Sequence, residues 1–167
     1  MTASIETLVR APRRDEMPRV WELLRALAVY EKLEHELKGS VEALTGHLFA
    51  APPLLECRVA ERAGRLIGYA LFYPTYSSFH TRSRMWLEDL FVEPDARGTG
   101  AGRALLAEVA RVSLARGCAR LGWEVLDWNA PSIEFYERMG ATRMNPDWFT
   151  YGLSHDRMLS LAEAASD

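Results

Sequence analysis

Residues 86–106 read Trp86-Leu-Glu-Asp-Leu-Phe-Val-Glu-Pro-Asp-Ala-Arg-Gly-Thr-Gly-Ala-Gly-Arg-Ala-Leu-Leu106. An apolar strand closes at Val92, and Glu93-Pro94-Asp95 puts proline where it favours a turn. Arg97-Gly98-Thr99-Gly100-Ala101-Gly102 then leads straight into a helical pattern over Arg103–Leu114. Glycines at alternate positions leave the backbone bare, so several N–H groups can face one anion. The positive end of the helix lies beside them. The stretch therefore predicts a strand, a pyrophosphate cradle and a helix in succession.

The spacing excludes two common nucleotide loops. A dinucleotide-binding turn needs G-x-G-x-x-G, and here the third glycine comes one residue early, at Gly102. An ATP-type loop needs a lysine after its last glycine, and Arg103 follows instead. Arg97 strengthens the anion reading because a guanidinium pairs with phosphate oxygens. Without a ligand, the same residues are a tight turn with a solvated arginine.

Outward from this stretch, Glu6–Arg10 is a first strand stopped by Pro12. Asp15 is placed to cap a helix marked by Val20, Leu24 and Leu27. Ser40 opens a second helix that ends before Pro52-Pro53. Leu55–Ala60 and Arg65–Phe72 form a hairpin about Ala63-Gly64, and Thr75–Arg84 reads as a polar, aromatic-bearing loop. Trp86–Val92 and Leu121–Leu126, joined by the helix after the glycines, imply a parallel pair. Asn129 and Pro131 open a short helix closed by Gly140. Trp148–Leu153 reads as a last strand, and Ser154 caps a terminal helix through Leu161. The class is α/β with a mixed sheet. No linker, repeat or low-complexity stretch interrupts residues 1–167, so a single domain is expected.

The glycine loop after Leu-Glu-Asp-Leu-Phe-Val resembles the coenzyme A loop of the GNAT acetyltransferases. The likeness continues through residues 128–141, Trp128-Asn-Ala-Pro-Ser-Ile-Glu-Phe-Tyr-Glu-Arg-Met-Gly-Ala141. Upstream it includes Tyr30-Glu31 and Tyr73-Pro74-Thr75-Tyr76. Taken together, these segments resemble the spermidine/spermine and thialysine acetyltransferase branch over nearly the whole chain. The resemblance implies a mostly antiparallel sheet with a central splayed parallel pair and the acyl-pantetheine arm in the gap. It also implies acetyl-CoA as co-substrate, a homodimer, and transfer to a small primary amine by direct attack. Candidate acceptors are a diamine or polyamine, or a lysine-like amino acid such as thialysine.

Direct transfer requires that an ammonium ion lose a proton, that the thioester carbonyl be polarised, and that the thiolate receive a proton. Tyr136 is the candidate acid, since a phenol of pKa about 10 is protonated at neutral pH. Glu88 is the candidate for proton removal. Asp89, its neighbour, should point to the opposite face of a regular strand. In a purely structural reading, both carboxylates salt-bridge arginines such as Arg82 or Arg84. Backbone N–H groups of Leu90, Phe91 and Val92 would polarise the carbonyl. By resemblance, Arg97, Gly98, Thr99, Gly100, Ala101, Gly102, Arg103, Asn129 and Ser132 hold the coenzyme. Tyr30, Glu31, Glu88, Trp123 and Glu124 line the acceptor site, with Tyr76 and Phe79 from the loop. Arg82 and Arg84 would repel a polycation, which argues against a strict spermidine enzyme.

Two alternatives stay open: acetylation of a protein N-terminus or lysine side chain, and an acyl-CoA-binding sensor without turnover. The chain is 49% apolar and 26% charged, with a formal net charge of −3 and no basic stripe. That argues against nucleic-acid binding. No apolar run approaches a membrane span, and Met1–Glu6 lacks a secretion signal. The four histidines have no ligand spacing, so no metal is expected. The two cysteines, Cys57 and Cys118, suit a reduced cytoplasmic protein.

Overall fold

The computed structural model describes residues 6–144 and 147–164. Five strands make one sheet in the order β1-β2-β3-β4-β5. They are β1 (Leu8–Arg10), β2 (Glu56–Arg62), β3 (Arg65–Ser77), β4 (Arg82–Val92) and β5 (Leu121–Gly122). The first four run antiparallel, and β4 pairs with β5 in parallel through Met85↔Leu121 and Trp86↔Gly122. The helices are α1 (Met17–Glu31), α2 (Val41–Leu48), α3 (Ala101–Ala115), α4 (Ala130–Arg138) and α5 (His155–Ala164).

Helix α1 buries Met17, Val20 and Leu23 against Val59, Tyr69, Leu71 and Phe91 of the sheet. Helix α3 crosses over between the parallel strands and buries Leu105, Leu106, Val109 and Val112 along one stripe, packing on β2, β3 and β4. Arg19 of α1 donates to the Leu66 carbonyl (3.0 Å) and to Glu93 (2.6 Å). It thereby ties the helix to the turn that leads into the glycines. Two compact units are distinguished, Met1–Asn129 and Ala130–Asp167. The first holds the sheet and α1–α3; the second holds α4 and α5.

Several expectations need correction. Asp15 does not cap α1: it sits inside a 3-10 turn, Arg14–Glu16, whose Glu16 carboxylate accepts from the Arg13 N–H at 2.7 Å. The capping hydrogen bond thus falls one residue later and one turn earlier. Residues 75–84 are not a loop. β3 runs to Ser77 and β4 starts at Arg82, so only 78–81 turn the hairpin. Pro74 is tolerated inside β3 because β2 pairs no further than Phe72, and Met85, opposite Pro74, sends its own N–H away to Arg120 O of the β5 side (2.8 Å). No donor is therefore needed from Pro74 on either side.

The expected strand Leu121–Leu126 pairs over two residues only. Trp148–Leu153 forms no strand, and the parallel pair lies at the sheet edge rather than its centre. By contrast, Ser40 caps α2, its Oγ accepting from Ala43 N (3.1 Å).

Candidate active site

The hairpin register builds the site. Leu71 faces Asp89 and Phe72 faces Leu87, so Glu88 is an extra residue, a β-bulge in β4. Cross-strand partners share a face. Tyr69, Leu71 and Tyr73 therefore share the α1 face with their partners Phe91, Asp89 and Trp86, while Leu87 shares the other face with Phe72. Regular alternation would have separated Glu88 from Asp89; the bulge lets both act on one side. Among the described residues, neither pairs with an arginine. Glu88 accepts from Tyr73 OH (3.0 Å) and Trp86 Nε1 (3.1 Å), and Arg84 donates to the Tyr76 carbonyl (2.7 Å).

Negative charge accumulates on this face. Burial pushes the Asp89 carboxyl up to about 6, and the charges of Glu88 and Glu31 push the same way against a hydrogen bond from Tyr69 OH (3.1 Å). Burial likewise raises Glu31, the last residue of α1. Tyr73 is pushed up to about 12 by burial, by its bond to Glu88, and by the charges of Glu88 and Glu124. A carboxyl pushed up by burial and by neighbouring carboxylates is poised to gain a cation. Tyr73, Trp86 and half-buried Trp123 supply apolar surface nearby in the chain's path. Tyr76 and Phe79 are 60% and 90% exposed on the hairpin and cover nothing.

Beside this face the sheet opens. β4 continues six residues beyond its last parallel pair, Trp86↔Gly122, while residues 123–126 leave the sheet. Glu93 N donates to Ile67 O (2.9 Å). By antiparallel alternation, Phe91 N–H then faces β3, whereas the N–H groups of Leu90 and Val92 face the gap. Of the three candidate amides, two point where a thioester carbonyl could lie. The third supports the ladder, and the Phe91 ring sits in the core.

The glycine loop adopts the conformation that its sequence requires. Gly98 and Gly100 have φ of +78° and +90°, values a side chain disfavours, and Gly100 is the residue from which α3 starts. Thr99 Oγ1 donates to Ala96 O (2.7 Å) and braces the turn. The first intrahelical bond is Ala104 N to Gly100 O (2.9 Å). The amides of Ala101, Gly102 and Arg103 therefore lack an intrahelical acceptor, the arrangement that binds phosphate. Arg97 Nε donates to Val92 O (3.2 Å), and its guanidinium lies 4.7 Å over the Tyr30 ring.

Tyr30 OH donates to Asn129 Oδ1 (2.8 Å), and Asn129 is buried. The Tyr30 and Trp128 rings lie 6.1 Å apart, and Lys32 Nζ sits 5.1 Å over Trp128. Lys32 itself ends α1 in the left-handed conformation, φ +61°. In the second unit, Tyr136 and Ser132 lie on α4, both half-buried, with Tyr136 edge-on to Phe135 at 5.2 Å.

Residues 17–141 match the model of the Acetyltransferase (GNAT) family. The chain belongs to that family. Thialysine N-epsilon-acetyltransferase of Mus musculus is 33% identical over 166 residues, 93% of this chain and 97% of the relative. L-ornithine N5-acetyltransferase of Arabidopsis thaliana is 36% identical over 94 residues, 56% of this chain and 41% of the relative. Among solved structures, an integron cassette protein of V. cholerae superposes with a TM-score of 0.74 at 20% identity, covering 94% of this chain and 98% of its own. This GNAT chain is thus an N-acetyltransferase built on a fold that its family uses with acetyl-CoA. Among the described residues, no helix is long and apolar enough to cross a membrane, and no group of three His, Cys, Asp or Glu could hold a metal ion.

Sequence reasoning missed Asp89 as a partner of Glu88. No residue type announces a bulge, and two adjacent acidic residues in a half-buried strand were the available signal.

Proposed function

We propose that the chain transfers acetyl from acetyl-CoA to a small primary amine by direct attack. The acidic group Glu31, Glu88 and Asp89, set beside the open edge of β4, carries this reading. An ammonium ion entering there would offset the negative charge around buried Asp89, and Glu88 or Asp89 would draw off its proton. The amides of Leu90 and Val92 would receive the carbonyl oxygen. The glycine loop residues, with Arg97, Arg103, Asn129 and Ser132, would hold the coenzyme, and Tyr136 would give a proton to the departing sulfur. Trp123, Glu124 and Glu31 would complete the acceptor side. No metal, nucleic acid or membrane enters this chemistry.

Among amines, a lysine-like amino acid such as thialysine is the leading acceptor, ahead of a diamine or polyamine. Arg84 shares the face of Trp86, two residues along the strand, and its guanidinium would meet a long polycation. The names of the thialysine and ornithine relatives support the same class. The test is CoA release from acetyl-CoA against putrescine, spermidine, spermine, lysine and thialysine, with Tyr136→Phe alongside. Selective turnover that collapses in the variant supports the reading, and no stimulation by any amine refutes it.

A second reading, acetylation of a protein N-terminus or lysine side chain, gains from one observation. Tyr76 and Phe79 stand exposed on the hairpin, which suits a peptide acceptor. Peptides ending in varied residues belong in the same assay.

We further propose a single functional domain, since the family match spans the division at residue 129. A homodimer would cover the exposed aromatic residues Trp148, Phe149 and Tyr151; sedimentation as a monomer at micromolar concentration would exclude it. The unpaired cysteines, Cys57 and Cys118, support a reducing compartment such as the cytoplasm.

A further inference from the structure

We infer that Tyr30 is a positioning residue for the donor, pre-organising both Arg97 and Asn129 for acetyl-CoA. Resemblance assigns Tyr30 to the acceptor side, yet its contacts lead elsewhere. Its hydroxyl donates to the buried Asn129 at 2.8 Å, its ring lies under the Arg97 guanidinium at 4.7 Å, and its ring centroid lies 6.1 Å from that of the tilted Trp128 ring. One half-buried side chain thus links the end of α1 to the first residue of the glycine loop and to the segment leading into α4.

The chemistry of each contact supports a donor role. Arg97 spends its Nε on the Val92 carbonyl and its face on Tyr30. Among the described residues, the Nη end of its fork meets no acceptor, so it is left for an anion at the glycines that follow. An arginine on an exposed loop otherwise loses considerable rotamer freedom when it clasps phosphate. Stacking it beforehand removes part of that cost from binding. The bond to Asn129 Oδ1 fixes which way the amide points, leaving its N–H₂ edge oriented by the same contact. Left-handed Lys32 stops α1 just after Tyr30-Glu31, so the donor link and the acidic Glu31 share one rigid helical turn. Donor and acceptor sides are therefore mechanically joined at adjacent residues.

The inference rests on the acetyl-CoA reading of the glycine loop, and the experiment separates the two. Acetyl-CoA Kd is measured by calorimetric titration for the intact wild type, Tyr30→Phe and Tyr30→Leu. Melting curves and the KM for the amine are recorded on the same preparations. Tyr30→Phe keeps the ring and loses the Asn129 bond; it should weaken acetyl-CoA binding about 3- to 10-fold. Tyr30→Leu also loses the cation–π contact and should weaken it a further threefold or so. In Tyr30→Phe the melting temperature should fall modestly while the chain stays folded, and the amine KM should stay at the wild-type value, a split between donor Kd and amine KM that a merely structural role would not produce. Wild-type binding with an unchanged or lower Kd in Tyr30→Phe overturns the inference alone. A raised amine KM with unchanged acetyl-CoA Kd does the same and returns Tyr30 to the acceptor. No acetyl-CoA binding by the wild type overturns both the inference and the reading beneath it.

Discussion

The proposed donor loop and the β4 part of the proposed acceptor face lie on successive parts of one strand–turn–helix, yet they are built by different physics. The loop over Arg97–Arg103 is a backbone device. Its shape comes from two residues at positive φ and from helix amides without partners. The proposed acceptor face is a side-chain device, in which a bulge and a helix end bring Glu88 and Glu31 near enough to Asp89 for their charges to raise its buried carboxyl. A backbone device writes its requirement directly into residue types. A side-chain device depends on register, which no single residue declares.

The proposed acid, Tyr136, belongs to neither region and gives the largest expected effect. Tyr136→Phe should lower kcat by about 100-fold or more, with acetyl-CoA Kd unchanged in titration. A fall in affinity instead of turnover would move Tyr136 into the donor region. Next, Glu88→Gln should raise the amine KM about 10- to 100-fold by removing a charge-assisted contact. Acetyl-CoA Kd should not change. If both constants shift together, the two regions are not separable in the way described.

Asp89→Asn tests whether the acceptor face is under electrostatic strain. The folded carboxyl titrates near about 6, above the ordinary aspartate range. Below that range both folded and unfolded chains are protonated and no penalty exists. As pH rises through about 6, the folded chain must hold a buried charge that the unfolded chain holds in water, so stability falls. The variant should therefore be more stable than wild type at pH 8, on the order of 2–3 kcal/mol, with the gain vanishing near pH 4. Denaturant unfolding at both pH values measures it, and equal effects at both would remove the electrostatic account. The smallest effect belongs to the loop. Gly100→Ala forces a side chain into a left-handed residue and should cost roughly 1–2 kcal/mol while weakening acetyl-CoA binding and sparing the amine KM.

The same contrast explains what the sequence disclosed. The glycine cradle, α3, the parallel pairing and the Ser40 cap were legible because each rests on local backbone preference. The positions of α4 and its closing glycine were legible for the same reason, Gly140 having φ of +86°. The length of β3 was hidden by Pro74, which reads as a strand breaker until the end of β2 shows that no donor is missed. The brevity of β5 was hidden because Leu121–Leu126 is apolar but for Glu124, and only the partner strand decides where pairing stops. Asp89 was hidden by the bulge beside it. Trp148–Leu153 has the aromatic content of a strand but stands largely exposed and unpaired in the sheet.

The central claim is that this chain acetylates a small amine held by carboxylates. Its most direct test is mass spectrometry of products after incubation with acetyl-CoA and an equimolar mixture of thialysine, lysine, putrescine, spermidine and a lysine-containing peptide. The account predicts that mono-acetylated thialysine or lysine accumulates first, and that Glu88→Gln suppresses it. Acetylated peptide with every small amine unchanged, or CoA released without any acetylated product, would contradict it.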